Sequence, residues 1–293
     1  MNEVRLALGT AQFGLPYGVT NVGGRVTPQE ITAILNEARA SGIDMLDTAA
    51  VYGNSEQVLG EAGVEWFQVV SKLPPVPETV HDVKPWVEEH VHASLQKLGV
   101  SKLKALLLHK PAQLLEKRGA EIVTALSAVK KAGLTEKVGY SMYDPTEWSR
   151  YRKLMKPDVV QVPVNSIDQR WKVSGALQEM AEVGIEIHVR SVFMQGLLLA
   201  PPKAAENYFL PWAHVFETWR KHVQQSGRSA AACALAFARS VPGVHRLVVG
   251  VTTVTELKEL VNNFAGEPAD LAPILENYDT DLIRPERWPL ACT

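Results

Sequence analysis

The chain has 293 residues, 46% hydrophobic and 21% charged, with 30 Lys and Arg against 32 Asp and Glu for a formal net charge of −2. Such a composition excludes a disordered chain, and the near-neutral balance gives no electrostatic footprint for nucleic acid or an anionic membrane surface. No run approaches the ~18 unbroken apolar residues of a spanning helix, and two cysteines without a CxxC pair exclude a disulfide scaffold or a structural zinc site.

In chain order, the start MNEVRLALGT lacks the basic, apolar and small-residue sections of a signal peptide, so a cytoplasmic protein is expected. Eight short runs rich in Val, Ile and Leu follow: Arg5–Leu8, Asp44–Asp47, Gln68–Lys72, Ala105–His109, Lys137–Ser141, Val159–Pro163, Glu186–Arg190 and Leu247–Gly250. Most are apolar at consecutive positions, the pattern of parallel strands buried on both faces. Between them the spacing predicts helices over Pro28–Ala40, Val83–Lys97, Ala120–Ala132, Thr146–Lys156, Ser174–Glu182, Trp212–Gln225, Ala230–Arg239 and Thr255–Asn262. Thr27, Pro28 and Glu30 form a helix-start signature, and Gly42, Gly99, Gly133 and Gly184 stand where glycine ends a helix. The stretch from Arg190 to Leu247 should hold a loop insert (Pro201, Pro202, Asn207, Pro211) and two helices. Strands alternating with helices predict a (β/α)8 TIM barrel, one domain spanning 1–293, with an open doubly wound sheet as the second choice.

Active sites of such barrels lie at the C-terminal ends of the strands. The predicted strands close on Gly9-Thr10, Asp47, Lys72, His109, Ser141, Gln161, Arg190-Ser191 and Gly250. Any one of these could merely mark a strand reaching solvent; a whole rim of them points to chemistry. The segment from Asp47 to Glu56 puts Tyr52 in a loop that starts a helix, with Asn54 or Ser55 as its cap and Glu56 in its first turn. If Tyr52 lies beside Lys72 and Asp47, the ammonium should lower its pKa from ~10, toward what a proton donor near neutral pH requires. Other motifs fail. Gly9 to Gly14 has phosphate-loop glycine spacing but lacks the Lys-Ser/Thr ending, no GxSxG elbow occurs, and His90 and His92 face different sides of a helix, so no metal site is expected.

Over nearly its whole length the sequence resembles the aldo-keto reductases. The carriers are Asp47-Thr48-Ala49-x-x-Tyr52-Gly53-x-Ser55-Glu56, Lys72 after an apolar strand, and Leu106-Leu107-Leu108-His109-Lys110-Pro111. Further matches are Gly139-Tyr140-Ser141, Gln161-Val162-Pro163-Val164-Asn165 and Gln195-Gly196-Leu197-Leu198. The resemblance implies a carbonyl reductase with Tyr52 as general acid, Lys72 and Asp47 tuning it, and His109 orienting the carbonyl oxygen. It implies Ser141 and Gln161 on a nicotinamide carboxamide, with Gly9, Thr10, Asp47, Arg190, Ser191, Gln195 and Gly196 also at the cofactor. The partner is then a small carbonyl compound. Expected substrate contacts are Phe13, Tyr17, Tyr52, His109 and Trp171, within an aromatic set that includes Phe209, Trp212 and Trp288. A redox sensor that keeps the nicotinamide site, and a lyase using Lys72 as a Schiff base, are the rival readings.

Two departures from the family pattern stand out. Arg190 replaces an aromatic residue expected to stack on the nicotinamide, where it would favour the reduced cofactor or reach a cofactor phosphate. After the eighth strand, free amides at a helix start, with Thr252 and Thr253, would seat a phosphate. Glu256 and Leu260 stand where NADPH-preferring members place an arginine and an asparagine. NADP(H) is the expected cofactor from the resemblance, and measurable use of NAD(H) is expected from Glu256.

Overall fold

The computed structural model describes residues 3–199, 206–267, 269 and 275–288. Eight strands, β1 (Arg5–Gly9), β2 (Met45–Asp47), β3 (Gln68–Leu73), β4 (Leu103–Leu108), β5 (Thr135–Ser141), β6 (Val159–Pro163), β7 (Glu186–Arg190) and β8 (Arg246–Gly250), close into one barrel. Every pairing is parallel, and β8 returns to β1 with Leu8 opposite Val249. The (β/α)8 expectation holds, because each strand carries one apolar face into the barrel and one against the helices.

Those two faces separate cleanly. Inside the barrel Ala7, Met45, Val70, Ala105, Leu107, Val159 and Val248 form a cluster of their own. Alternate residues such as Leu8, Leu46, Val69, Leu106, Val160, Val189 and Val249 join the larger core under the helices. Side chains two apart on a strand share a face. Two residues beyond the inner cluster therefore come Gly9, Asp47, Lys72, His109, Gln161 and Gly250. The apolar plug ends, and a polar layer begins on the same inward face. This parity is what gathers the site.

Local chemistry fixes the surrounding helices. Thr27 caps Pro28–Ala40, its hydroxyl accepting from the Glu30 amide at 3.3 Å, and Gly99 at φ 68° closes Val83–Leu98. The long connection after β7 carries helices Ala213–Ser226 and Ala230–Ser240 as expected, while residues 201 and 202 of the expected insert lie outside the described residues. The predicted helix over Thr146–Lys156 is cut to a 3-10 turn, Pro145–Glu147, and the short helix Trp148–Tyr151. Pro157 bars helical geometry at Lys156, which keeps the helix from reaching its expected end, but the stop at Tyr151 comes earlier than that. Helix Ala176–Glu182 starts later than predicted because Gly175, at φ 75°, separates it from the turn Arg170–Val173. Cys233 is a buried free thiol, and Cys292 lies outside the described residues.

Candidate active site

A cavity of about 530 Å³ opens at the C-terminal ends of the strands. Beneath its floor, buried and not itself lining the cavity, the Lys72 ammonium donates to Asp47 Oδ1 at 2.6 Å and to the Thr48 carbonyl at 2.9 Å. Gln161 Nε2 donates to the other Asp47 oxygen, also at 2.6 Å. Asp47 is thus spent on both oxygens, and the Lys72–Asp47 pair is neutral as a unit. Above the pair stands Tyr52, with Lys72 Nζ 5.0 Å from its ring centroid. The His109 ring meets Tyr52 edge-on at 5.9 Å. Residues from β2, β3 and the loops after β2 and β4 therefore converge on one small volume.

Electrostatics corrects one expectation. The Tyr52 hydroxyl is pushed up, not down: burial disfavours the phenolate most, and the Asp47 charge adds to that. The cation that opposes this rise is Arg190. Tyr52 is held protonated across the physiological range, the state in which it can give up a proton. The His109 imidazole is pulled down to about 3 by burial, with the positive charges of Lys72, Arg190 and Lys110 acting in the same direction. It is neutral at neutral pH, and a neutral imidazole can still donate one hydrogen bond. Burial also lowers Lys72, against the opposing pull of Asp47.

Of the other expected residues, Gly9, Thr10, Tyr17, Ser141, Arg190, Ser191, Gln195, Gly196, Thr252 and Glu256 all line this cavity. Gln161 Oε1 and Gln195 Oε1 are buried acceptors with no hydrogen-bond partner among the described residues. Arg190 reaches Ser141 Oγ, Ser191 Oγ and the Met142 carbonyl, each at 3.3 Å. The loop after β7 is strained: Ser191, Met194 and Gln195 have φ of 60°, 50° and 54° without being glycine. Strain of this kind collects where backbone is held for a purpose. Thr20 Oγ1 donates to the Gln195 carbonyl at 3.3 Å, so the loop after β1 touches the loop after β7.

Several expectations fail. Phe13 and Trp171 are fully buried in the core and do not line the cavity, contrary to the expectation of cavity aromatics. Phe13 faces inward from the short helix Ala11–Gly14, and Trp171 from Arg170–Val173. Phe209 and Trp288 are likewise buried, packed edge-on at 5.0 Å, and Trp212 donates to Asp279 at 2.9 Å. Asn54 takes the N-cap position but makes no capping bond: its side chain accepts from Arg25, and the Ser55 hydroxyl turns to Thr10. Glu56 sits in that first turn but turns inward, accepting from Ser71 Oγ at 2.7 Å.

The expected phosphate seat is also occupied. Glu256 Oε2 accepts from the Thr252 amide at 2.6 Å and its hydroxyl at 3.0 Å. Glu30 Oε1 takes the Val254 amide at 2.7 Å, and Thr253 Oγ1 accepts from the Glu256 amide at 3.1 Å. Carboxylates already satisfy the positive end of helix Val254–Phe264, as its dipole favours. Thr253 serves as a helix cap and does not line the cavity. Sequence reasoning missed Gln12 and Tyr143, both in the cavity wall. Each follows a strand end by two or three residues, so reading only the last residue of each strand overlooked them.

A parallel eight-stranded barrel with a Tyr, Lys, His and Asp cluster at its C-terminal rim defines a class of oxidoreductase. The chain belongs to the aldo/keto reductase family, whose model matches residues 5–270. It is an NAD(P)H-dependent oxidoreductase acting on carbonyl compounds. It is 31% identical over 177 residues to the NAD/NADP-dependent indole-3-acetaldehyde reductase of Schizosaccharomyces pombe, covering 60% of this chain and 58% of that protein. The match thus spans little more than half of that relative. An aldo-keto reductase of Mycobacterium sp. (strain KMS) is 30% identical over 208 residues, covering 67% and 71% of the two chains. The solved holo form of an aldo-keto reductase from Bacillus halodurans shares the fold with a TM-score of 0.71, at 19% identity over 92% of this chain and 89% of that one.

Proposed function

We propose that this chain interconverts an aldehyde or ketone and its alcohol, with Tyr52 as the general acid. The observation that carries this reading is the convergence of Tyr52 with the neutral Lys72–Asp47 pair and the His109 ring. Bound in the cavity, a reduced nicotinamide supplies the hydride that reaches the carbonyl carbon. The carbonyl oxygen gains negative charge as it does so, and Tyr52 gives that oxygen its proton, leaving the alcohol. Neutral His109 offers a second hydrogen bond to the same oxygen, in the geometry where charge grows. In the reverse direction Tyr52 takes the proton back.

The unpartnered Gln161 Oε1, on the residue paired in register with Ser141, would suit a carboxamide amino group, so these two residues would hold the nicotinamide. Gln195 Oε1 offers another acceptor from the strained loop. NADP(H) follows from the family, and use of NAD(H) follows from Glu256. Where that carboxylate meets the ribose it would repel a 2′-phosphate and accept a hydrogen bond from a free hydroxyl. The S. pombe relative is named for both cofactors, which supports dual use here. General acid catalysis is worth about 10²–10⁴-fold, so Tyr52→Phe should lower kcat for carbonyl reduction by about that factor. Fluorescence titration should show cofactor affinity nearly unchanged. Undiminished turnover by that variant refutes the assignment.

A further inference from the structure

Tyr52 is placed largely by its backbone. Among the described residues its hydroxyl has no hydrogen-bond partner, while its ring meets the edge of His109 and the Lys72 ammonium. The chain on either side is clamped. The Tyr52 amide donates to the Ala49 carbonyl at 3.0 Å, and the Tyr52 carbonyl accepts from the Ser55 amide at 3.0 Å. A Cβ on Gly14 would fall on that same Tyr52 carbonyl, and a Cβ on Gly53, whose φ is 57°, would fall on the Gly14 carbonyl. Two glycines thus let the loops after β1 and β2 touch backbone to backbone at the residue that carries the phenol.

Beside this contact the hydroxyls of Thr10, Thr48 and Ser55, all fully buried, form a circuit. Ser55 Oγ donates to the Thr10 carbonyl at 3.0 Å and lies 3.0 Å from Thr10 Oγ1 and 3.1 Å from Thr48 Oγ1. Thr10 Oγ1 donates to the Asp47 carbonyl at 3.0 Å. With those protons placed, the Thr48 hydroxyl donates to Ser55 Oγ, and each hydroxyl proton has its own acceptor. The circuit therefore returns to Asp47 and Thr48, the two residues that hold the Lys72 ammonium. Glu56, next in sequence, accepts from Ser71 Oγ at 2.7 Å, and Ser71 directly precedes Lys72 on β3. The helix start just after Tyr52 is thereby tied to the ends of β1 and β2 and to β3. Ser55 sits at the centre of these ties and does not line the cavity. Shut away from water, such a network has no solvent to fall back on, so one arrangement is held.

We propose that Ser55 is a positioning residue for proton transfer: its hydroxyl locks the Tyr52 loop to the Asp47–Thr48 backbone and so sets how far the phenol stands from the carbonyl oxygen it protonates. This rests on the reading of Tyr52 as general acid. A misplacement of about 1 Å at such a group can cost about 10²-fold in rate.

The test is a double-mutant cycle on the protein loaded with reduced nicotinamide cofactor, reading single-turnover rates with 4-nitrobenzaldehyde, butanal and glyceraldehyde. Ser55→Ala should lower the rate by about 10- to 100-fold, with KM and cofactor affinity held within about threefold. In the Tyr52→Phe background the same substitution should change the residual rate by less than about twofold, because no phenolic proton is left to place. Thr48→Val keeps the side-chain shape and removes the donor to Ser55. It should show a smaller loss of the same pattern, and it carries the cycle if Ser55→Ala does not fold. A readout without turnover is the fluorine resonance of 3-fluorotyrosine at Tyr52, assigned by its loss in Tyr52→Phe. It should shift or broaden in Ser55→Ala, while that of Tyr151, assigned in the same way, stays as it was. Equal losses in both backgrounds overturn the proposal, since a loosened barrel slows hydride transfer with or without Tyr52. An unchanged rate in Ser55→Ala overturns it too, as does an unmoved Tyr52 resonance or a collapse of cofactor affinity. Undiminished turnover by Tyr52→Phe alone, or no reduction of any of these aldehydes by the wild type, refutes instead the general-acid reading beneath it.

Discussion

His109 offers a stability test that does not depend on turnover. Its imidazole moves from the usual 6.5 to about 3 in the folded chain, chiefly through burial and then through Lys72, Arg190 and Lys110. Between those values the unfolded chain binds a proton that the folded chain refuses, so stability rises with pH across the window. The contribution is complete above pH 6.5 and is lost as pH falls toward 3. At pH 4.5 the unfolded imidazole is protonated and the folded one is not, which at about 1.4 kcal/mol per pH unit costs about 3 kcal/mol. Other carboxylates titrate over the same range, so the quantity of interest is a difference of differences. Urea unfolding of the wild type and of His109→Gln, each near pH 7.5 and near pH 4.5, isolates it. Gln fills a similar volume, keeps an amide donor and does not titrate. The wild type should lose about 3 kcal/mol more than the variant on acidification. Equal losses would mean that His109 accepts its proton in the folded chain, and the argument from its surroundings would be wrong.

Lys72→Met should destabilise the fold by about 3–5 kcal/mol in denaturant titration by leaving the Asp47 carboxylate buried and unpaired, and Asp47→Asn in the same chain should recover much of it. Gly196→Ala should destabilise by about 2 kcal/mol or more, because a Cβ there would fall on Thr20 Oγ1 and the φ of 94° strains any side chain. Adding Thr20→Ala should relieve part of that loss in thermal unfolding, and no relief would place the strain in the backbone alone. Glu256→Arg should raise the ratio of NADPH to NADH affinity by about tenfold or more in fluorescence titration, replacing a carboxylate with a phosphate partner. An unchanged ratio would show that this position does not meet the ribose.

The barrel was legible because its strands are buried on both faces and so read as unbroken apolar runs. β6 and β7 match their expected limits to the residue, and the others shift at their ends. Asp47, Lys72, His109 and Gln161 were legible for a related reason: a polar side chain ending an apolar run has to face somewhere, and barrel closure turns all four inward. What could not be read was the direction of side chains in loops, which no periodicity governs. Phe13 and Trp171 look like cavity aromatics in one dimension and are core residues in three. The Tyr52 proton is misjudged from sequence because a lysine nearby is visible there, whereas the burial of the hydroxyl and the Asp47 charge beside it are not. After β8 the helix start is legible, yet Glu30 reaches its Val254 amide from 224 residues away, a contact that only closure of the barrel creates.

The two-residue step between the apolar plug and the polar layer also determines which changes the scaffold tolerates. Inserting or deleting one residue inside a strand would reverse its facing from that point on, sending a polar side chain such as Lys72 into the oily space beneath the helices. Length changes in the loops after β1 and β7 leave that alternation intact, and these loops carry Tyr17, Thr20, Gln195 and Leu199 around the cavity mouth. Recognition and reactivity therefore occupy parts of the chain that can vary separately. Loop exchange among relatives is the economical way to redirect this barrel to a new carbonyl compound.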